Sequence, residues 1–434
     1  MPKAVISNRI YLEAPPEGFS AIMEALTYKL ETAGATRGGK RIKHLEIIKN
    51  YKVLPRNILS IPQGRLDLVP AGYEIVDKRI KHEMPFPTPK FPLRPDQQIV
   101  YDDIEDNCFI NALPGWGKTF TALYLARKLG QKTLIVTHTT SLRNQWIEEV
   151  TKLYGMDCGI VGSSQYDIDH AIVVGNIQTL TKYGVELSKE FGTVILDEAH
   201  HCPATTFSTF VDAMYSRYRI ALSGTMIRKD GKHIVFTDYF GSNVITPPQS
   251  NTINPTIKVL RTGLQLTPGV PWVKKINNLL YDPDYQEYVS VIARTQLALG
   301  HKVLIVASRV EFLSKVKDLL GETCLLVTGQ TPIESRAPEI QRVKDGEIAC
   351  IAGSRQIFSE GISIDILSCL ILAEPIANEA LLEQLIGRIM RMYPGKEKLG
   401  PVVIDPHFSG RADKSQNNVR LGFYIKKGWE VQTL

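Results

Sequence analysis

Ala112-Leu113-Pro114-Gly115-Trp116-Gly117-Lys118-Thr119 lies between an apolar run, Cys108-Phe109-Ile110-Asn111-Ala112, and a helix-length amphipathic stretch that opens at Lys118. A buried strand, a glycine-bearing turn and a helix N-terminus are the context that a phosphate-binding loop requires. Gly115 and Gly117 let backbone N–H groups turn inward around a β-phosphate. Lys118 supplies a cation to the β- and γ-phosphates, and the Thr119 hydroxyl is placed for Mg²⁺. Ala112 stands where the first glycine of such a loop is usual.

Outward from the loop, β-rich runs alternate with helix-length segments, the pattern of a parallel sheet wrapped by helices. The runs after the loop are Thr133 to Val136, Ala171 to Val174, Thr193 to Leu196 and Arg219 to Leu222. A stretch from about 245 to 272 then carries Pro247, Pro248, Pro255, Pro268, Gly269 and Pro271, and it reads as a connection. The rhythm restarts with Lys302 to Val306, Cys324 to Val327, Ile348 to Ile351, Cys369 to Leu372 and Pro401 to Ile404. The fold class is α/β, with two tandem parallel-sheet units over 91–250 and 282–434, joined by a linker over 251–281. No short fixed period is present, which argues against a solenoid.

Residues 1–90 differ. Strands at Ala4 to Leu12 and Glu74 to Val76 flank a helix expected over Ser20 to Ala33, and a basic stretch runs from Arg37 to Arg56. Pro85, Pro87, Pro89, Pro92 and Pro95 then make an extended connector. A separate small basic α+β domain is expected.

Composition supports this division. The chain has 434 residues, 44% of them apolar and 22% charged, enough for two or three cored domains. Lys plus Arg total 51 against 45 Asp plus Glu, a net charge of +6. Residues 1–90 hold 15 basic and 9 acidic side chains, so the other 344 balance at 36 against 36 and the whole excess is N-terminal. No apolar stretch reaches the roughly 18 to 20 residues needed to cross a bilayer, and Met1-Pro2-Lys3-Ala4 begins no signal peptide. A cytoplasmic protein without membrane contact is expected. The six cysteines form no C-x-x-C pair, which argues against zinc and a disulfide framework.

A nucleotide loop of this kind needs an acidic partner at the end of another buried strand. Thr193-Val194-Ile195-Leu196-Asp197-Glu198-Ala199-His200 supplies it. Asp197 is placed to hold Mg²⁺ and Glu198 to orient and deprotonate an attacking water. The cofactors expected are ATP and Mg²⁺.

Asp-Glu-Ala-His after a loop of the A-x-x-G-x-G-K-T form resembles the superfamily 2 nucleic-acid helicases, a likeness that extends over roughly residues 92 to 406. It implies two RecA-like units that ATP draws together and hydrolysis releases. Leu93-Arg94-Pro95-Asp96-Gln97 resembles the adenine-reading L-R-x-Y-Q motif, with Asp96 where Tyr is usual, so Arg94 and Gln97 are expected at the base. Ser223-Gly224-Thr225 resembles the S-A-T tripeptide that, with His200, couples hydrolysis to movement. Arg228-Lys229-Asp230 resembles the R-E-D tripeptide of XPB-type helicases. Gln384-Leu385-Ile386-Gly387-Arg388-Ile389-Met390-Arg391 resembles Q-x-x-G-R-x-x-R, which implies arginine fingers at Arg388 and Arg391 on one helix face, with Gln384 beside them. Glu360-Gly361-Ile362-Ser363-Ile364-Asp365 resembles E-G-I-D-I-P with two departures, and it brings Gly361 and Asp365 to the nucleotide.

The same likeness implies a strand track of backbone contacts, which carry no base information. In the first unit His138-Thr139 with Gln145-Trp146 occupies the place of P-T-x-x-L-x-x-Q-W, and Gln178-Thr179 a further contact motif. In the second unit Ser308-Arg309, Thr328 and Ser354 are the counterparts. The N-terminal cluster Arg37, Lys40, Arg41, Lys43, Lys49, Lys52 and Arg56, against only Glu46, is a further phosphate-binding surface. The short basic N-terminal module, the DEAH sequence and the S-G-T variant look most like phage recombination helicases of the UvsW type. That likeness implies a monomeric DNA helicase acting on branched or forked DNA in a host cytosol. An RNA helicase, or a duplex-DNA translocase that does not separate strands, remain open alternatives.

Overall fold

The computed structural model describes residues 1–13, 18–35, 41–112, 115–199, 204–224, 236–248, 252–331, 333–359 and 364–434. The chain divides into two units. One comprises Met1–Ala112 with Gly117–Pro248, the other Gln249–Leu434 with Leu113–Trp116.

The N-terminal module contains β1 (Lys3–Ile6), β2 (Arg9–Glu13), β3 (Thr27–Ala35), β4 (Arg41–Lys49), β5 (Lys52–Leu54), β6 (Ile58–Pro62) and β7 (Glu74–Asp77). Five of these form one sheet in the order β5-β6-β2-β1-β7, while β3 and β4 pair as a two-stranded antiparallel ribbon. The run Ala4 to Leu12, expected as one strand, is a hairpin, because Ser7 N–H donates to the Arg9 carbonyl at 2.8 Å and reverses the chain. The helix expected over Ser20 to Ala33 stops at Ala25. From Thr27 the chain is extended, and its register against Arg41–Lys49 overrides the local helical pattern. Leu12, Leu26, Leu59 and Ile61 form the core of this module.

In the first parallel sheet, strands such as Thr133–Thr137 and Thr193–Leu196 are buried at every position, as expected for a sheet covered on both faces. Its strands are β8 (Cys108–Asn111), β9 (Thr133–Thr137), β10 (Gly159–Gly162), β11 (Gln165–Tyr166), β12 (Ile172–Asn176), β13 (Thr193–Leu196), β14 (Tyr218–Ser223) and β15 (Val244–Ile245). They lie in the order β11-β10-β12-β9-β13-β14-β8-β15. All neighbours are parallel except β10 and β11, so the carboxyl ends of β12, β9, β13, β14 and β8 share one edge. In open parallel sheets that edge is where ligands bind.

The module joins the elements of this sheet through buried polar groups. Arg9 Nη1 donates to Asp212 Oδ2 at 2.5 Å, and Arg219 Nη2 donates to the Asn8 carbonyl at 3.0 Å. Asp238, with 0% of its surface exposed, accepts from Tyr28 Oη at 2.8 Å, Asn50 Nδ2 at 2.7 Å and Arg65 Nη1 at 3.0 Å. Burial pushes the Asp238 carboxyl up, and these three donors work against that shift. Gly64 permits the approach: a Cβ there would lie 2.5 Å from the Gly241 nitrogen. Phe236 and Tyr239, in the helix Phe236–Phe240, pack into the core of this unit.

The second unit has β16 (Thr256–Arg261), β17 (Val303–Ala307), β18 (Cys324–Val327), β19 (Cys350–Ser354), β20 (Cys369–Leu372), β21 (Val402–His407) and β22 (Glu430–Thr433), in the order β18-β19-β17-β20-β21-β16-β22, with every pair parallel. The stretch 251–281, expected as a linker, is therefore corrected. Thr256–Arg261 is a strand of this sheet and Trp272–Leu280 a helix, their apolar positions feeding the core. Along β17, Leu304 and Val306 enter one core cluster while Val303, Ile305 and Ala307 enter another, so both faces are covered. Among the described residues no helix is long and apolar enough to cross a membrane.

Candidate functional site

The phosphate loop connects β8 to the helix Lys118–Leu129. Gly117 caps that helix in the left-handed region at φ 96°, and Gly115 has φ 91°. Lys118 is buried, and its Nζ donates to the Ala112 carbonyl at 2.8 Å, spanning the loop from helix to strand. Thr119 is half-buried beside it, Trp116 is buried, and Pro114 lies outside the described residues.

Arg94 caps the helix Pro95–Asp103 in a capping box, with its N–H donating to Gln97 Oε1 at 3.0 Å. The Arg94 guanidinium pairs with Asp96, the residue that replaces the usual Tyr, at 3.2 Å. Gln97 Nε2 reaches the Gly117 carbonyl at 3.5 Å, and a Cβ on Gly117 would stand 2.4 Å from that nitrogen. Gly117→Ala therefore adds a left-handed strain of about 1–2 kcal/mol to a collision with Gln97. Nucleotide affinity is expected to fall at least about tenfold, as read by titration with a fluorescent ATP analogue. Unchanged affinity would remove this cradle from the nucleotide site.

Asp197 follows β13 and is 3% exposed. Its Oδ2 accepts from Trp146 Nε1 at 2.7 Å and its Oδ1 from the Glu198 N–H at 2.9 Å. Burial and then the adjacent Glu198 charge push its carboxyl up to about 6, while the Trp146 N–H and Lys118 charge pull the other way. A carboxylate so placed is a hard-oxygen ligand that a divalent cation would hold ionised. Glu198 takes φ 47°, a left-handed conformation that is uncommon outside glycine and clusters at functional sites. The glycine cradle, Lys118 and this buried acid fit a Mg–nucleotide.

Trp146, in the helix Thr140–Tyr154, appears in the sequence only as part of a strand-contact motif. In the structure its indole N–H donates to Asp197 Oδ2. A fully buried indole N–H needs an acceptor, and that was the available signal. Ser223 ends β14, and its carbonyl accepts from the Ala112 N–H at 3.0 Å, so the expected coupling segment meets the loop's first residue. Gly224 is half-buried; His200 and Thr225 lie outside the described residues, as do Arg228, Lys229 and Asp230.

On the same edge, His138 is half-buried, and Thr139 caps the helix Thr140–Tyr154 by accepting from the Leu142 N–H at 3.2 Å. Gln178 is exposed and Thr179 half-buried in the short helix Ile177–Leu180. Arg37 and Lys40 lie outside the described residues. Arg41 and Lys43 occupy β4, opposite Ala35 and Ala33, with their side chains outside the described set.

In the second unit Ser308 follows β17, and its Oγ donates to Glu374 Oε2 at 2.6 Å. Arg355 also pairs with that carboxylate, at 2.9 Å. Glu374 is 2% exposed and no sequence motif marks it; it ties the Ser308 turn to the end of the Ser354 strand. Arg309 Nε donates to Asn277 Oδ1 at 2.7 Å. Thr328 is buried in a turn that Thr331 closes, its N–H donating to Thr331 Oγ1 at 3.0 Å.

The helix Glu379–Met390 carries Gln384 and Arg388, both largely buried, and Arg388 Nε donates to the Phe358 carbonyl at 2.9 Å. The expectation that Arg388 and Arg391 share a helix face is corrected. Arg391 is extended, bridged to Thr252, and the Met390 carbonyl accepts from the Ile253 N–H at 2.7 Å, so the helix ends before it. Arg391 Nη1 pairs with Asp365 at 2.8 Å, and Gly361 lies outside the described residues.

Two RecA-like units, with Gly117-Lys118-Thr119 at a helix N-terminus and an Asp-Glu pair at one sheet edge of the first, define a P-loop nucleotide-binding protein. Residues 90–228 match the family of the res subunit of type III restriction enzymes, and residues 286–393 match the helicase conserved C-terminal domain. A probable helicase of Escherichia phage T5 is 41% identical over 441 residues, covering 100% of this chain and 96% of that protein. The chain belongs to the superfamily 2 helicases. Among solved structures, the ATP-dependent type ISP restriction-modification enzyme LlaBIII bound to DNA is similar with a TM-score of 0.58 at 17% identity, over 80% of this chain and 31% of that one. A Saccharomyces cerevisiae protein solved with RNA and ADP–beryllium fluoride has a TM-score of 0.56 at 12% identity, over 78% of this chain and 89% of that one. Both likenesses concern the fold, which does not choose between the two polymers.

Proposed function

We propose that this helicase is an ATP-dependent DNA motor that remodels branched DNA, by fork reversal or Holliday-junction branch migration, in recombination, repair or replication. The observation that carries the reading is the placement of the basic module. Its strand β4 belongs to the same unit as Lys118, Thr119 and the Asp197-Glu198 pair, and Asp212 and Asp238 fasten the module there. A motor with a second polyanion grip built into it suits a substrate with more than one duplex arm.

Mg–ATP bound at the loop supplies the labile phosphoryl group and its counter-charge. Gly115, Gly117 and Lys118 hold the phosphates, with Pro114 and Trp116 completing the loop. Thr119 and Asp197 hold Mg²⁺, and Arg94 and Gln97 hold the base. Glu198 orients the attacking water and takes its proton. Gln384, Arg388 and Arg391 answer the charge that develops on the transferred group, and Gly361 and Asp365 are assigned to the nucleotide by the same helicase likeness. His200, Ser223, Gly224 and Thr225 pass the change to the strand contacts. Those contacts are His138, Thr139, Gln178, Thr179, Ser308, Arg309, Thr328 and Ser354, with Arg37, Lys40, Arg41 and Lys43 as the second grip.

The deciding experiment is the steady-state ATPase rate with no nucleic acid, single-stranded DNA, duplex DNA, a four-way junction or matched RNA, each at two salt concentrations. The junction is expected to stimulate most, and Lys40→Gln/Arg41→Gln/Lys43→Gln to reduce that stimulation and flatten its salt dependence. Charge variants are preferred to truncation of residues 1–90, which would leave the Asp238 carboxylate buried without its three donors. Equal or greater stimulation by RNA would overturn the DNA assignment, and a companion strand-displacement assay that detects no separated strands would make the protein a duplex translocase.

A further inference from the structure

A cleft of 430 Å³ lies between the turn joining β4 to β5 and the helix Ala204–Ala213, with Lys49, Asn50 and Lys52 on one side and Ser208, Thr209 and Asp212 on the other. Its charge is unbalanced. Lys49 and Lys52 are exposed and carry no ion pair among the described residues. The acidic side chain in the lining, Asp212, is taken by Arg9, whose side chain is 4% exposed. Arg9, Lys49 and Lys52 against Asp212 leave two uncompensated positive charges. Such a lining suits a phosphate group, whose negative charge the two lysine ammonium groups can pair with charge-assisted hydrogen bonds.

The wall is also fixed in place. Asn50 Nδ2 donates to Asp238 at 2.7 Å, its Oδ1 accepts from Tyr239 Oη at 3.1 Å, and its carbonyl accepts from Arg9 Nη2 at 3.3 Å. The lysines on either side of Asn50 are thereby held at the rim of a preformed surface, with little ordering left for a ligand to impose. The cleft lies at the end of the basic strand β4, so a polymer following that strand arrives at it.

We infer that this cleft is a phosphodiester site, taking a backbone phosphate and its adjoining nucleotide from a nucleic-acid strand, with Lys49 and Lys52 as the charged contacts and the Ser208 and Thr209 hydroxyls in the opposite wall. The inference rests on the nucleic-acid reading above. A strand held here also bears on Asn50, and through it on the helix Phe236–Phe240, the next described element after the Ser223-Gly224 turn.

The test uses the full chain and fluorescence anisotropy with a labelled single-stranded oligonucleotide over a salt series. Lys49→Gln/Lys52→Gln is expected to weaken binding about tenfold or more, and to reduce the slope of log affinity against log salt by about 1.4, two contacts at about 0.7 each. Thr209→Trp, which fills the cleft without altering charge, is expected to weaken binding several-fold, roughly what one displaced contact costs. Lys78→Gln/Lys81→Gln, two exposed cations outside the cleft, serves as the control for general electrostatics. If the parent binds and the cleft variants match this control in affinity and slope, the site is refuted. If the parent binds no nucleic acid, the functional reading fails first and takes this site with it. Competition by inorganic phosphate beyond that of chloride at matched ionic strength would make the cleft a small-anion site and overturn the strand assignment.

Discussion

Glu198→Gln is expected to lower ATP turnover about 10²–10⁴-fold, roughly 3–5 kcal/mol in the barrier, while leaving nucleotide affinity within a few-fold. The substitution keeps the size and hydrogen-bonding reach of the side chain and places no new demand on the backbone, which already holds φ 47° there. An amide can still orient a water, but it cannot take the proton. Glu198 is half-buried at the end of a fully buried strand, next to an Asp197 whose oxygens are engaged by the Trp146 indole and the Glu198 N–H. On the proposed reading the two carboxylates take different tasks, the buried one with a cation and Glu198 with water. Phosphate release and fluorescent-nucleotide binding, measured on the same preparation, separate chemistry from affinity. Turnover within about threefold of the parent would place the base elsewhere, given the usual size of general-base effects.

What the sequence made legible was the sheet edge. A short apolar run followed by Gly-x-Gly-Lys-Thr or by Asp-Glu reads directly, because a buried parallel strand must be apolar throughout and chemistry can begin only where it ends. The parallel order then gathers the segments after β8, β9, β12, β13 and β14 without further information. Illegible were the features set by tertiary pairing. Tyr28 and Leu30 stand in a pattern compatible with a helix, and only the ladder with Ile48 and Glu46 makes them strand. Arg391 continues a helical spacing, yet the Met390 carbonyl is satisfied by Ile253, some 140 residues earlier in the chain. Trp146 and Glu374 act through partners, Asp197 and Ser308, that are remote in sequence. The Pro-rich stretch near 250 reads as linker because proline marks chain that avoids helix, but β16 lies within it, clear of its prolines.

The second large effect is expected at Arg388. Arg388→Ala should cut kcat by about 10³-fold or more with little change in nucleotide affinity, the signature of a cation that acts on charge developed only in the transition state. Its helix is anchored by Leu382, Leu385, Ile386 and Ile389 in the core, and its Nε is fixed on the Phe358 carbonyl at 2.9 Å, so the guanidinium is held by packing rather than left on a free stem. Arg388→Lys should not rescue the loss, since an ammonium cannot keep the Nε bond and present a planar fork as well. Arg391 contrasts with it: it lies beyond the helix end and pairs with Asp365, a carboxylate 51% exposed, and such pairs contribute about 0–1 kcal/mol to stability. Removing the Arg388 side chain leaves a buried carbonyl without its donor, at about 1–3 kcal/mol, so a melting curve must accompany the kinetics. If the folded variant loses affinity as steeply as kcat/KM, Arg388 holds the ground-state nucleotide and is no finger. If kcat is unchanged, the charge is supplied elsewhere, and Arg391 becomes the residue to vary.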